Sequence, residues 1–349
     1  MTATIRDVAR RAGVSVATVS RVLNGHANVT AETRASIRSV IEELHYVPHG
    51  AAQSLVTRRT HTVGVLLPDM HGEFFSELIR GIDAAARLQG LHLLLSSSHG
   101  DLADTAAALK VMRGRVDGLL IMSPYATAQF YLDHLPPSLP AVLINAGPGA
   151  VARPIVAIDN YDGGARVAQH LHRLGRRRIA LIAGPVNNHD AAERQRGFVE
   201  TLRTLEPGFL PLVLHGNFGE RSGYAAGQHI VALSERPDAV FAANDSMAIG
   251  CLYALNEAGV GVPEDVAVAG FDDIPIARFA RPALTTVRVP IADLGTLALE
   301  RLTQAMEHPD ARVAETTMLR AELIARASTG AVRSGVGRLR AVDAGPGSG

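Results

Sequence analysis

Short polar side chains recur at one kind of place in this sequence. Asp69, Ser123, Asn145, Asp159, Asn160, Asn187, Asn188, Asp190, Asn244, Asp245, Asp272 and Asp273 each follow closely on a run of small and branched apolar residues. Phe74, Phe75 and Phe218 stand near them in the chain. Carboxylates and amides supply acceptors and donors in pairs, and a ring covers an apolar face. The set therefore suits a neutral polyhydroxylated ligand. It does not suit a metal, because no His/Cys cluster has ligand spacing. No Gly-x-Ser-x-Gly or phosphate loop is present, and Gly81, Gly163, Gly164 and Gly197 are isolated helix-packing glycines. Asp272 and Asp273 are adjacent and could act as paired carboxylates in an enzyme. Cys251, alone among Ala, Leu and Ile, reads as a small buried hydrophobe. No cofactor, metal or catalytic residue is expected.

A second constellation opens the chain. Thr4 can cap a first helix, with Asp7 three residues on in a capping-box arrangement. Val8, Ala9 and Ala12 share one face of that helix, and Gly13 breaks its period. Ser15 can cap a second helix with Val19, Val22 and Leu23 inward. Two short helices joined by a tight Gly-containing turn read as helix-turn-helix, although any small bundle can hold such a turn. The tip of the second helix, Ser15-Val16-Ala17-Thr18, is slim, and Arg21 lies one turn on. A helix that enters a major groove needs such a tip and a guanidinium that can bridge guanine O6 and N7. Thr30 caps a third helix whose stripe is Ile37, Val40, Ile41 and Leu44; Tyr46 closes it as a core residue or a phosphate contact.

These groups need elements to position them. From His61 onward, short apolar strands alternate with amphipathic helices. The strands are Thr62–Leu67, Leu91–Ser96, Asp117–Met122 and Ala141–Asn145, then Ile155–Ile158, Ile179–Ala183, Leu210–Leu214, Ala239–Ala242 and Val266–Ala269. The alternation means parallel sheets with crossover helices, in two rounds that suggest two similar lobes. In open parallel sheets ligands collect at the carboxyl ends of strands, which is where the polar residues stand. The 349 residues allow two or three domains, and 47% hydrophobic content allows a large core. There is no apolar run of about 18 residues and no apolar leader, so a cytoplasmic location without membrane contact is expected. Net charge is zero, yet residues 1–60 carry eight arginines against Asp7, Glu32, Glu42 and Glu43. That surplus sits where phosphate contact is expected.

The run Thr4–Asn24 resembles the DNA-binding headpiece of the lac/gal repressor family, and the likeness continues to Leu55 and, more loosely, over residues 3 to about 328. It implies an all-α helix-turn-helix headpiece plus an α/β two-lobed domain like the periplasmic sugar-binding proteins. The expected boundaries are a headpiece at 1–46, a hinge at 47–60, an effector and dimerisation domain at 61–328, and a disordered tail at 329–349. The chain would cross between lobes near 158–162, 286–290 and 320–325. The tail has no leucine heptads, so a homodimer is expected.

The resemblance also implies roles. Val16, Ala17 and Arg21 would read bases of near-palindromic double-stranded DNA, and Leu55 would wedge into the minor groove. Thr4, Ser15, Thr18, Asn24 and Tyr46 would hold the backbone. Glu193-Arg194-x-x-Gly197-Phe198 matches the motif whose Arg binds effector. Asn244 of Asn-Asp, Asp272 of Gly-Phe-Asp-Asp, and Phe218 at a stacking position join it. Phe74 lines the first lobe's wall or is core. Asn188 and Asp190 lie on the loop that differs most among members and select ligand. Asp159 contacts ligand or caps a helix, and Asp245 is a contact or a cap. The implied function is a transcription regulator, as a repressor, under allosteric control of a sugar or sugar derivative. A purine or nucleoside is the alternative effector. A solute-binding protein or a sugar-acting enzyme is the competing class.

Overall fold

A computed structural model describes residues 3–23, 28–46, 59–147, 153–308 and 315–330. Asn24 and Leu55, most of the expected hinge, and residues 331–349 lie outside the described residues.

Three helices form the headpiece: α1 (Ile5–Arg11), α2 (Val16–Leu23) and α3 (Ala31–Glu43). Thr4 and Asp7 close the capping box: the Thr4 side chain accepts from Asp7 N–H while the Asp7 carboxylate accepts from Thr4 N–H. Ser15 Oγ accepts from Thr18 N–H at 3.1 Å and starts α2. Gly13, at φ +66°, makes the turn between them, a conformation that costs a residue with a Cβ. Val8, Ala9, Val19, Val22, Ile37 and Tyr46 are the buried core. Arg11 pairs with Glu43 at 2.7 Å across α1 and α3.

Each lobe is a six-stranded sheet. The first lobe contains β1 (Thr62–Leu67), α4 (Glu73–Leu88), β2 (His92–Ser97), α5 (Leu102–Met112), β3 (Gly118–Met122), α6 (Ala128–His134), β4 (Ala141–Ile144) and β5 (Ile155–Ile158). The chain then enters the second lobe. There it builds α7 (Asn160–Arg173), β6 (Ile179–Ala183), α8 (His189–Leu205), β7 (Leu212–His215), α9 (Glu220–Ala232), β8 (Ala239–Ala242), α10 (Asp245–Glu257), β9 (Ala267–Asp272) and β10 (Thr285–Arg288). A return to the first lobe adds α11 (Ile291–Glu307) and β11 (Thr316–Leu319), and β12 (Glu322–Ile324) ends in the second. The strand orders are β11-β5-β4-β3-β1-β2 and β12-β10-β9-β8-β6-β7. All pairings are parallel except β10 with β12. Central strands such as β3, β4, β6 and β8 are buried throughout, because helices cover both faces. The three crossings fall where the resemblance implies. Helix α6 and the short β11 and β12 have no counterpart in the sequence reading.

Helix contacts in both lobes rest on glycine. A Cβ on Gly81 would lie 2.0 Å from the Ala292 carbonyl oxygen, and one on Gly197 would lie 2.0 Å from that of Tyr161. The second contact presses α7 against α8, the helix that carries Arg194.

One boundary moves. Thr329 falls in the expected disordered tail, but Ser328 and Thr329 are buried in a 3-10 turn, Ala327–Thr329. Ser328 Oγ donates to Val268 O at 2.6 Å and accepts from Thr285 N–H. Thr329 Oγ1 contacts Thr285 Oγ1 at 2.8 Å and His170 Nε2 at 2.9 Å. These polar residues are inside because every hydroxyl has a partner.

His170 is buried on α7, and burial, with help from Arg173, pushes its pKa down to about 4 from 6.5. The imidazole is thus neutral in the fold and protonates more readily unfolded. Its contribution is complete above about pH 6.5 and is lost as pH falls through 4, about 3 kcal/mol in all. Urea unfolding between pH 7.5 and 4 checks this: His170→Gln, which keeps a polar group near Nε2, should lose stability less steeply with acid than the wild-type chain.

Candidate functional site

The headpiece presents the second helix as a groove-reading element requires. Val16 is 42% exposed, and Ala17 and Arg21 are exposed with it, while Val19 and Val22 on the opposite face are buried. Ser15 Oγ and Thr18 Oγ1 lie 2.9 Å apart at the tip. Thr4 is committed to its cap. The Tyr46 ring belongs to the core, 8% exposed, so only its hydroxyl could serve a phosphate.

The second candidate site is a cavity of about 460 Å³ between the lobes, within the usual range for small-molecule sites. Phe74, Phe75, His99 and Tyr125 line it from the first lobe; Asn188, Asp190, Arg194, Asn217, Phe218, Asn244 and Asp272 line it from the second. Phe74 and Phe75 pack edge to face, 5.4 Å between centroids. Of the two roles open to Phe74, core or wall, the structure gives it the wall. Tyr125, His99 and Asn217 were missed. Tyr125 follows β3 by three residues, and its place at a strand's carboxyl end was the available signal.

Arg194 projects from α8 and is 4% exposed. Its Nε donates to Asn160 Oδ1 at 2.8 Å and its Nη1 to the Ala243 carbonyl at 2.7 Å. Nη1 also lies 3.1 Å from Asp272 Oδ1. The guanidinium carbon sits 3.8 Å from the Phe271 ring centroid and 6.0 Å from that of Phe218, within cation–π range. Asp272 stands at φ +108° at the end of β9. Burial pushes its pKa up to about 6; Arg194 opposes this and Asp190 adds to it. Asp190 is also raised, by burial first, with Arg194 and His189 opposing.

Asp190 binds both lobes' residues. Its Oδ1 accepts from Asn160 Nδ2 at 2.9 Å, and its Oδ2 from Asn145 Nδ2 at 3.2 Å. Asn145 belongs to the first lobe, just behind β4, and its Oδ1 accepts from Ile158 N–H. Nearby, His189 N–H donates to the Pro124 carbonyl at 3.1 Å. At the cleft's other lip, Ile276 N–H donates to Glu73 Oε2 at 2.9 Å.

Three assignments change. Asp159 caps α7 through Asp162 N–H and is not on the cavity wall; its neighbour Asn160 does the work of supporting Arg194. Asp245 is neither a ligand contact nor a cap. Asn244 caps α10, while Asp245 is fully buried and accepts from Ile274 N–H and Thr286 Oγ1. Burial, and secondarily Asp272, hold the Asp245 pKa well above the usual carboxylate range. Asp272 and Asp273 are not a carboxylate pair: Asp273 joins Arg288 at 2.7 Å and Arg326 at 2.6 Å near the crossings. Asn188 and Asn244 line the cavity but also cap helices, and Asn244 Nδ2 holds the Phe218 carbonyl at 2.9 Å. Among the described residues no group of three His, Cys, Asp or Glu could hold a metal, and no helix is long and apolar enough to cross a membrane.

Residues 4–49 match the profile of bacterial regulatory proteins of the lacI family, and residues 168–329 match the periplasmic binding protein-like domain. The chain is 37% identical over 317 residues to the HTH-type transcriptional repressor PurR of Erwinia tasmaniensis, covering 87% of this chain and 92% of that one. The chain belongs to the lacI family of bacterial regulatory proteins. It is a DNA-binding transcription regulator, with a helix-turn-helix headpiece and a two-lobed α/β domain whose cleft takes a small-molecule effector. Among solved structures, the lac repressor dimer bound to operator and the anti-inducer ONPF superposes with a TM-score of 0.85 at 28% identity, covering 95% of this chain and 100% of that one. The transcriptional regulator CelR–cellobiose complex gives 0.69 at 32% identity, covering 93% and 99%.

Arg194→Met should destabilise the chain by about 3–5 kcal/mol, because it strands buried Asp272 and Asn160 without their cation. Arg194→Lys should recover only part of this, since one ammonium cannot serve three partners in a guanidinium's plane. Urea unfolding followed by circular dichroism measures both.

Proposed function

We propose that a homodimer of this lacI-family regulator represses from a near-palindromic operator, and that a purine base or nucleoside in the cleft sets its operator affinity. Val16, Ala17 and Arg21 read bases, and Ser15 and Thr18 hold the backbone at the tip. Thr4 and Tyr46 contribute at most through groups not already used in the cap and core. Leu55 and Asn24 keep the roles that the resemblance gives them.

The carrying observation is Asp190. It lines the cavity and also holds Asn145 of the first lobe, so a ligand that rearranges Asp190 changes how the lobes meet. Lobe geometry passes to the headpiece through residues 47–60, which join them. Coupling of this kind is reciprocal: effector alters operator affinity, and operator alters effector affinity by the same factor.

The purine reading gains on the sugar reading because the curated relatives are PurR repressors. Rings from both lobes support it: Phe74, Phe75 and Tyr125 on one side and Phe218 on the other suit a flat heterocycle. A sugar is the second reading, favoured by the cellobiose complex of the similar regulator.

Two measurements test the proposal. Duplexes selected from a random pool should bind with a steep salt dependence. Arg21→Ala should weaken the selected site by about 1–3 kcal/mol and relax one base pair per half-site. Fluorescence anisotropy should then show operator affinity shifting with guanine or hypoxanthine and not with glucose, ribose or cellobiose. Identical operator affinity with and without every bound ligand would overturn the regulatory reading.

A further inference from the structure

The tip of α2 is apolar where a duplex would meet it. Val16 is 42% exposed and Ala17 is exposed beside it, while Val19 and Val22 on the opposite face are buried in the headpiece core. A lone exposed valine is ordinary on a protein surface, but this one opens a helix whose polar neighbours are already engaged. Ser15 Oγ accepts from Thr18 N–H at 3.1 Å and bonds Thr18 Oγ1 at 2.9 Å, which holds both hydroxyls against the first turn. Arg21, exposed and four residues after Ala17 on the same face, brings the donors. A valine in a helix has one strongly preferred rotamer, so its methyls are fixed before any contact is made.

We propose that Val16 and Ala17 read the C5-methyl group of a pyrimidine and nothing else of its base pair. A 5-methylcytosine·guanine pair then serves where a thymine·adenine pair does, and unmethylated cytosine does not. The inference rests on α2 reading an operator, as proposed above, and adds what it reads there. Side chains without a donor or acceptor cannot follow the hydrogen-bond pattern that tells the four base pairs apart in the major groove. The thymine methyl is the one apolar group presented there, and 5-methylcytosine carries its methyl on the same ring carbon. Val16 and Ala17 gain from covering that methyl and make no bond to the carbonyl or amino group beside it. Arg21 supplies hydrogen-bonded readout at a separate base pair, guanine by preference. Methylation of cytosine within the operator thereby tightens this regulator's hold, a control that does not pass through the cleft.

The test uses the full chain, fluorescence anisotropy and an operator drawn from random pools with guanine, with hypoxanthine and with neither. Each thymine is replaced in turn by deoxyuridine, which lacks only the methyl and leaves the minor-groove face unchanged. Covering one methyl is worth a factor of about four. Deoxyuridine at one or two positions of a half-site should therefore weaken binding about fourfold, and roughly fifteenfold when both half-sites are changed. At those positions 5-methylcytosine opposite guanine should bind within about twofold of thymine, and cytosine about fourfold worse. Val16→Ala cuts back an exposed side chain and should shrink the deoxyuridine penalty; a thermal melt shows whether it folds, and the nucleotide series stands without it. Three results overturn the inference and leave the operator reading standing: indifference to deoxyuridine at every thymine, cytosine and 5-methylcytosine binding alike, or a penalty that folded Val16→Ala leaves whole. Failure of every pool to yield a bound duplex overturns both.

Discussion

A guanidinium withdrawn from water must have its hydrogens met, and that demand organises the cleft. Arg194 reaches Asn160 at the start of α7, the Ala243 carbonyl behind β8, and Asp272 at the end of β9. Three separate pieces of the second lobe are thereby drawn to one point. The flat face on Phe271 fixes the remaining freedom. Burial of this cation is tolerable only because carboxylate and amide are supplied around it. The same supply gives the cavity its polar floor, so the fold's electrostatic need and the ligand's chemistry are met by one set of atoms.

Asp190 extends this set across the domain boundary. Through Asn145 it touches the first lobe, and through Asn160 it touches the residue that steadies Arg194. Ligand contact and lobe contact are therefore not separate layers. Glu73 with Ile276 fastens the opposite lip, so the lobes are tied on both sides of the space that a ligand fills. Two-state behaviour of such a cleft needs no long-range wire, only an occupant that bonds differently to the two arrangements.

Much of this was legible in the sequence. Strands buried on both faces are unbroken apolar runs, so β1, β5, β6 and β8 could be bounded to the residue. The polar residues behind them marked the cleft for the same reason. Other features were not legible. Seven-residue α6 is too short to show a helical period; Thr127 caps it and Tyr131 is its buried residue. Asp159 and Asn160 look equivalent on paper. Where the helix starts decides which of them faces Arg194, and one residue turns a helix by 100°. Ser328 and Thr329 read as tail because hydroxyls look solvent-seeking until their partners on β9, β10 and α7 are known. Tyr125 needed only a wider look behind β3. The sugar expectation came from the commonest usage in a family, and the curated relatives point elsewhere.

The order in which the strands are threaded bears on how the chain is made. The first lobe begins at Thr62 yet lacks α11 and β11 until residue 319, and the second is closed by β12 and the Ser328–Thr329 lock. A ribosome therefore releases the first lobe in finished form only after Leu319 has emerged, and the second only after Thr329. Apolar surfaces on α4 and β5 that α11 and β11 eventually cover stay open throughout elongation. Of the parts described here, only the amino-terminal three-helix unit can reach its native packing while translation is still under way.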